Sequence, residues 1–411
     1  MAEQQAKKIV IVTSGQPSLN PRAVKEADAL YNAGYDVLMI YQFWNAWGTK
    51  LDETLLAGKK WKAIRVGGTP GKGFVTYWLT RIFHKGCQVL YRLTNGKWIA
   101  PELVIGRCTA WLTREARRHK ADLYIAHNLA ALPATVKAAK KFNSKCGFDA
   151  EDFHRNETTN DPASDDVKLK SAVEDHYIPQ IDYLSVSSPG IGEAYKQIFP
   201  GIEPVVILNV FPLQTKIQLN ETPTSSKLKL FWFSQTIGPG RGLEDIFNAL
   251  AQLDNDQIEL HLLGDLPPSS KGYLADTAAG VQGLHIHSPV APDELFEFAS
   301  KFDIGLALET DYCLNRDIAL TNKIFTYMQA GLSIIASNTS AQKQLMENHP
   351  GAGKVYEKRN VAMLAEMVKN YFDDRTQLLH TKKESRATAC SELNWERESQ
   401  VFLKTVNKFI D

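Results

Sequence analysis

The chain has 411 residues, 44% of them hydrophobic and 23% charged, with a formal net charge of +1. The length exceeds one ordinary domain and the composition is that of a globular protein with sizeable cores, while the near-neutral balance excludes a global field for nucleic acid. The five cysteines, Cys87, Cys108, Cys146, Cys313 and Cys390, are scattered and form no C-x-x-C pair, which fits a reducing compartment and argues against a disulfide framework or a zinc motif.

Met1 to Lys8 is polar and leads straight into a strand-like run, so no signal peptide is expected. No apolar run reaches the ~18 residues of a membrane span. The expectation is a cytoplasmic protein, or one held only at the inner face of a membrane. Ile9 to Thr13 reads as a buried strand. Asn20, Pro21 and Arg22 then start a helix, with Asn as cap and Pro at the first helical position, and Gly34 ends it. Val37 to Tyr41 is the next strand. Gly71 to His119 differs from the rest: nine Lys and Arg stand against Glu102 and Glu115, interleaved with Phe74, Tyr77, Trp78, Phe83, Tyr91, Trp98 and Trp111. Such a stretch is either a docking surface for an anionic membrane, a partner-protein surface, or a packed helix with a solvated charged face. Strands resume at Leu123 to Ala126, Leu184 to Val186 and Val205 to Leu208.

Pro212 to Lys227, rich in Gln, Asn, Thr, Pro and Ser, reads as a linker. The rhythm then restarts with strands at Leu228 to Phe233, Glu259 to Leu263, Leu284 to His287, Ile304 to Leu308 and Ser333 to Ala336, and a helix near Leu243 to Leu253. Continuous apolar strands separated by helices, twice over, predict two doubly wound parallel sheets. The closing segment carries Trp395, Val401, Phe402, Val406 and Phe409 near helical spacing and needs a surface to cover.

Two segments carry the chemistry. Phe231 to Glu244 runs from a strand through Gly238, Gly240 and Gly242 to a helix start, with Arg241 beside it. Glycines admit a ligand close to backbone, and a cation at a helix N-terminus suits phosphate. An ordinary turn with a surface arginine has the same residues. In Thr321 to Ala336, Thr321 caps a helix opening with Asn322 and Lys323. Free N–H groups, the helix dipole and an ammonium then point at one place, a seat for a diphosphate, unless the lysine is only a surface charge. Arg241 and Lys323 are both expected to be largely exposed. In the first half, Gly15 sits in the first strand-to-helix loop. Phe148 to His154 clusters Asp149, Glu151, Asp152 and His154 after a short strand, with His127 ending the preceding one; these groups suit an acceptor hydroxyl or a solvated loop. His285 and His287 alternate along a strand without a third ligand spaced to help, so no metal is expected there.

Together these segments resemble the large retaining glycosyltransferase family called group 1, which has the GT-B architecture. Phe325 to Ala336 is similar to that family's helix and strand, and Ile258 to Asp265 to its middle strand. Ser288-Pro289-Val290 resembles its nucleobase-contacting turn, and Leu184 to Gly190 and Ile207 to Val210 its segments before the linker. The resemblance implies two facing Rossmann-like α/β domains with an inter-domain cleft: residues 1–212 on the acceptor side, 213–385 binding a nucleotide sugar, and 386–411 returning to the first domain. It implies transfer of a sugar from a nucleoside-diphosphate donor to a saccharide or lipid-linked hydroxyl with retention, in polysaccharide or glycolipid assembly, without metal or other cofactor. Donor contacts would come from Gly15, Gln235, Gly240, Arg241, Pro289, Val290, Thr321, Asn322 and Lys323. His127, Glu151 and His154 would work on the acceptor side. The family's two glutamates, eight positions apart, fall near Ile318 and at Thr326 here, and Glu309, Asp311 and Asp317 are the candidates to supply the missing carboxylate. Gln235 stands where a phosphate-binding arginine is usual. A nucleotide-sugar epimerase and a catalytically silent binding subunit on the same fold are the alternatives.

Overall fold

In the computed structural model, which describes residues 6–219 and 226–410, the chain forms two compact units, one up to Ile207 together with the segment from Ser399, the other Leu208–Glu398. The first unit holds β1 (Lys8–Thr13), β2 (Asp36–Gln42), β3 (Lys62–Val66), β4 (Leu123–His127), β5 (Lys145–Ala150), β6 (Tyr183–Val186) and β7 (Val205–Val206). They pair in parallel in the order β3-β2-β1-β4-β5-β6-β7. The second unit holds β8 (Leu228–Thr236), β9 (Ile258–Asp265), β10 (Leu284–His287), β11 (Ile304–Ala307), β12 (Ser333–Ser337) and β13 (Gly353–Tyr356). Their order, β10-β9-β8-β11-β12-β13, repeats the same pattern, again in parallel.

Local chemistry explains the central strands. β1 is Lys-Ile-Val-Ile-Val-Thr, buried from Ile9 onward, and β12 is buried throughout; β-branched side chains pack well when helices cover both faces of a sheet. Asn20 caps the first long helix by accepting from the Ala23 N–H, with Pro21 at its first position, as the sequence predicts. In the second unit, Leu230, Trp232, Leu262 and Leu306 form a core on one face of the sheet with Phe247 and Tyr371. Phe231, Ile334, Phe325 and Met328 form another on the opposite face.

Three features depart from the sequence reading. β3 and β13 are short edge strands of mixed polarity, Lys-Ala-Ile-Arg-Val and Gly-Lys-Val-Tyr, and no continuous apolar run announces them. Pro212 to Lys227 is not where the units part. The break falls after Ile207 because Val210 is buried in the second unit's core and Phe211 packs edge-on against Phe296 at 5.1 Å; residues 220–225 of that stretch lie outside the described residues. The second break falls at 398/399 rather than 385/386, since the helix Arg375–Ser391 packs on β12 and the helix Asn322–Ala330.

Candidate functional site

In the second sheet the chain leaves the neighbouring strands β8 and β11 in opposite directions, the place where doubly wound sheets bind ligands. The loop after β8 contains Gly240 and Gly242 with φ of 72° and 75°, a left-handed conformation that favours glycine. Gly242 is needed for a second reason: a Cβ there would meet the Leu308 carbonyl oxygen at 2.1 Å. The helix Leu243–Leu253 therefore begins hard against the end of β11. A pocket of about 200 Å³ lies there, lined by Gly242, Glu244, Asp245, Glu309, Tyr356 and Arg359 among others.

Glu309 is one of the four carboxylates that line it, with Glu244, Asp245 and Asp311. Burial opposes its charge, but the Lys323 ammonium 2.5 Å away, Arg316 at 3.9 Å and the Thr321 hydroxyl outweigh it and hold its pKa below the usual carboxylate range. Lys323 projects from the start of the helix Asn322–Ala330, which Thr321 caps by accepting from the Lys323 N–H, and its ammonium lies 5.8 Å over the Trp232 ring. So Lys323 is ion-paired and 13% exposed, not open as the sequence reading expects. Arg241 is exposed. Asn322 is exposed at the helix start, and Gln235 is exposed on the bulged end of β8.

Asp317 does not line this pocket. Its two oxygens accept from the Ser340 N–H and hydroxyl, so it anchors the start of the helix Ser340–Asn348 instead. Pro289 is exposed after β10, while Val290 packs against the core. Four lining groups escaped the sequence reading. Asp245 accepts from the Tyr356 hydroxyl (2.9 Å) and the Arg359 N–H (3.0 Å), and Arg359 sits at φ 67°. Lys358 reaches Asp311 at 3.3 Å. A left-handed arginine held by a buried-edge carboxylate is strain of the kind found at ligand sites. The Lys-Arg-Asn run following β13 was the available signal, lost because β13 itself was not legible.

The first unit has its own switch point, between β1 and β4. Gly15 follows β1, its N–H donating to the Thr13 hydroxyl. Asn128 follows β4 at φ 66° and accepts from the same hydroxyl at 3.0 Å. His127 lies beneath, fully buried. Its ring faces Glu26 (2.9 Å), Asp149 (3.3 Å) and Glu151 (3.8 Å). Burial favours the neutral ring, yet Glu26, Asp149 and Glu151 prevail, so its pKa stands well above the usual range. Arg22 forks onto Asp149 at 2.6 and 2.7 Å and reaches the Ile207 carbonyl. The same crowding, burial first and Arg22 second, pushes Lys25 down to about 8. His127 is thus part of a buried charge network and not an accessible base. His154 is also buried, stacked on Phe148 and 3.4 Å from Glu157. Of the three acceptor-side candidates Glu151 is the most open, with 22% of its side chain in solvent against 7% for His154 and none for His127.

No protein-family model and no curated protein matches the chain. Solved structures do. The chain is similar to Anabaena HepE in complex with UDP and glucose, with a TM-score of 0.68 at 15% identity over 98% of this chain and 100% of that one. It is similar to sucrose-phosphate synthase from Thermosynechococcus elongatus at 0.71 and 13%, over 98% of each chain. A glycosyltransferase from Rickettsia africae gives 0.71 and 13%, over 99% of each. The architecture is GT-B: two Rossmann-like α/β domains, each on a parallel sheet.

Proposed function

We propose that the protein is a glycosyltransferase that takes a sugar from a nucleoside-diphosphate donor and passes it, with retention, to a saccharide or lipid-linked hydroxyl. One observation carries the reading: at the second sheet's switch point a capped helix start, a left-handed glycine turn and a pocket-lining carboxylate meet Lys323, Lys358 and Arg359. Backbone N–H groups and cations suit a diphosphate. The leaving diphosphate gains charge as the glycosidic bond breaks, so donors aimed there favour the transition state. Glu309, ionised and positioned by Lys323, would accept from donor-sugar hydroxyls. Gly15 would bring its backbone to the donor, and Asn128 beside it would serve the acceptor side. Side-chain cations, not a metal, would meet the diphosphate charge. The complexes of HepE with UDP-glucose and of Staphylococcus aureus TarM with UDP support a uridine nucleotide as the first donor to try.

The test is a panel of nucleotide sugars, with nucleoside-diphosphate release followed in the presence of candidate acceptors. Release with at least one donor is expected; binding without turnover would sink the transferase reading, and no binding would sink the nucleotide site as well.

Contact with an anionic membrane is part of the proposal. Its support is the helix Phe74–Leu93, on which Phe74, Val75, Trp78, Leu79, Ile82 and Leu93 are exposed together with Arg81, Lys85 and Arg92. A groove of about 930 Å³ runs along it between Trp78, Ile82, Val89 and Leu93 and the basic Lys85 and Arg107. No described helix is long and apolar enough to cross a membrane, so such contact would lie at the interface.

A further inference from the structure

Four side chains that sugar transfer does not use meet at the edge of the second sheet. Glu259 and His261 alternate on β9, and His285 and His287 on the edge strand β10. His285 pairs with His261 in register, and a period of two puts all four side chains on one face. The rings of His261 and His285 stack at 4.5 Å, and those of His261 and His287 lie 5.3 Å apart. His261 Nε2 is 3.4 Å from Glu259 Oε2, and His285 Nε2 is 3.8 Å from Glu259 Oε1. One ligand atom from each of Glu259, His261 and His285 falls within 4.8 Å of the others. Bonds of ~2.0–2.1 Å in a tetrahedral centre put neighbouring ligands roughly 3.3 Å apart, so Glu259 and His261, at 3.4 Å, already stand at that spacing, while the exposed His285 ring would turn out of its stack on His261 and move in to close the set.

Support around the set is already built. On its far side His261 Nδ1 lies 3.0 Å from His287 Nε2, the outer hydrogen bond that fixes a ligating ring's tautomer and direction. His261 is buried against Phe302 at 4.7 Å, and His287, half-buried, packs edge-on against Phe298 at 5.1 Å. His285 is 47% exposed, which leaves a path from solvent. Lys227 holds Glu259 Oε1 at 2.7 Å, so the carboxylate would ligate through Oε2. The other acidic and histidine cluster, Glu26, His127 and Asp149, is a different case: the Arg22 guanidinium already occupies Asp149.

We propose that Glu259, His261 and His285 bind one divalent transition-metal ion of the zinc class, with water completing the shell and His287 as positioning residue. Two imidazoles and a carboxylate select Zn²⁺, Co²⁺, Ni²⁺ or Cu²⁺ over Mg²⁺ and Ca²⁺. The ion would tie β10 to β9 and hold the Ser288-Pro289-Val290 turn that leaves β10.

The 411-residue chain, stripped with chelator and dialysed, is titrated with Zn²⁺ by calorimetry and with Co²⁺ by visible absorption, and melted with and without Zn²⁺. One ion per chain is expected, with d–d bands of a nitrogen and oxygen site and a melting midpoint raised by Zn²⁺ but not by Mg²⁺. His285→Gln, at an exposed position, should weaken Zn²⁺ at least tenfold and abolish the rise while melting like the parent without metal. His287→Gln should weaken it less. Absence of saturable binding, or His285→Gln binding as tightly as the parent, would overturn the site. None of these readouts depends on transferase activity.

Discussion

Gly15 and Arg22 follow the same strand and do opposite work. A Cβ on Gly15 would lie 3.6 Å from the Thr13 hydroxyl and 3.7 Å from Asn128, an ordinary contact, so the fold does not require glycine there. Gly15→Ala should leave the melting midpoint unchanged and cut transfer, if a substrate approaches that backbone; full activity would remove Gly15 from the site. Arg22 is fully buried against Asp149 and Glu26. Arg22→Ala strands two buried carboxylates, and breaking such a pair costs ~3–5 kcal/mol; urea unfolding of the first unit's transition should show it. The two cations of the second unit separate in the same way. Removing a donor aimed at developing charge costs ~3 kcal/mol, on the order of a hundredfold in rate. Arg241→Ala should lose activity with its midpoint unmoved. Lys323→Ala should lose both, because Glu309, only 15% exposed, loses its nearest cation. Equal midpoints for the two variants would count against the Glu309 pairing. Residue types and spacing made Gly15, Arg241 and Lys323 legible as candidates. They could not reveal that Asp317 anchors Ser340 or that His127 is sandwiched by Glu26 and Asp149, since both partnerships join residues far apart in sequence.

Elements were legible where apolar or β-branched residues run together, and opaque where lysine, arginine or glycine breaks the run. The central strands of both sheets read directly as apolar runs, and the edge strands β7 and β10 were legible too; Lys-Ala-Ile-Arg-Val and Gly-Lys-Val-Tyr, the edge strands β3 and β13, were not. The helix Phe74–Leu93 shows the converse. Its aromatic content fits a packed helix equally well in sequence, yet only Thr80 and Cys87 are buried. Its own Arg81, Lys85 and Arg92 are exposed, whereas Arg118, in the turn after the helix Thr109–Ala116, is paired with Glu115. A basic residue near an anionic surface contributes ~1 kcal/mol. Changing Arg81, Lys85 and Arg92 to Glu should therefore release the protein from phosphatidylserine vesicles in a flotation assay; equal binding of the parent to neutral and anionic vesicles would end the membrane reading. The short helical turn at His154 makes a second element-scale prediction. Burial opposes the Glu157 charge, but His154 and Lys170 win and hold its pKa down to about 2. A carboxylate depressed in the fold stabilises above its unfolded value of ~4.3 and loses that contribution as pH falls through the folded one. Stability of the first unit should fall between those two values, and Glu157→Gln should flatten the dependence in acid melts.

The whole molecule repeats one strand order in two units, each with its own core. Two cores mean that a single unfolding free energy is not defined, and two calorimetric transitions are expected. The last helix, Trp395–Ile410, is shared between them along its length. At its start the Trp395 N–H donates to the Phe211 carbonyl and Glu398 accepts from the Leu208 N–H, both within the second unit. Beyond Ser399 it serves the first: Asn407 accepts from the Tyr35 hydroxyl at 2.7 Å, and Phe409 stacks on Tyr183 at 5.4 Å. Phe402 and Val406 are completely buried. The amphipathic spacing of these residues was visible in the sequence, but the point where the helix changes allegiance was not, because it depends on Phe211 and Leu208 rather than on the helix itself. Phe402→Ala removes a fully buried ring, which costs ~3–5 kcal/mol where the surroundings cannot collapse. The transition of the first unit should drop accordingly, while the transition that shifts when a nucleoside diphosphate is added, assigned to the second unit, should stay in place. A drop in the nucleotide-responsive transition instead would show that Phe402 serves the second unit's stability.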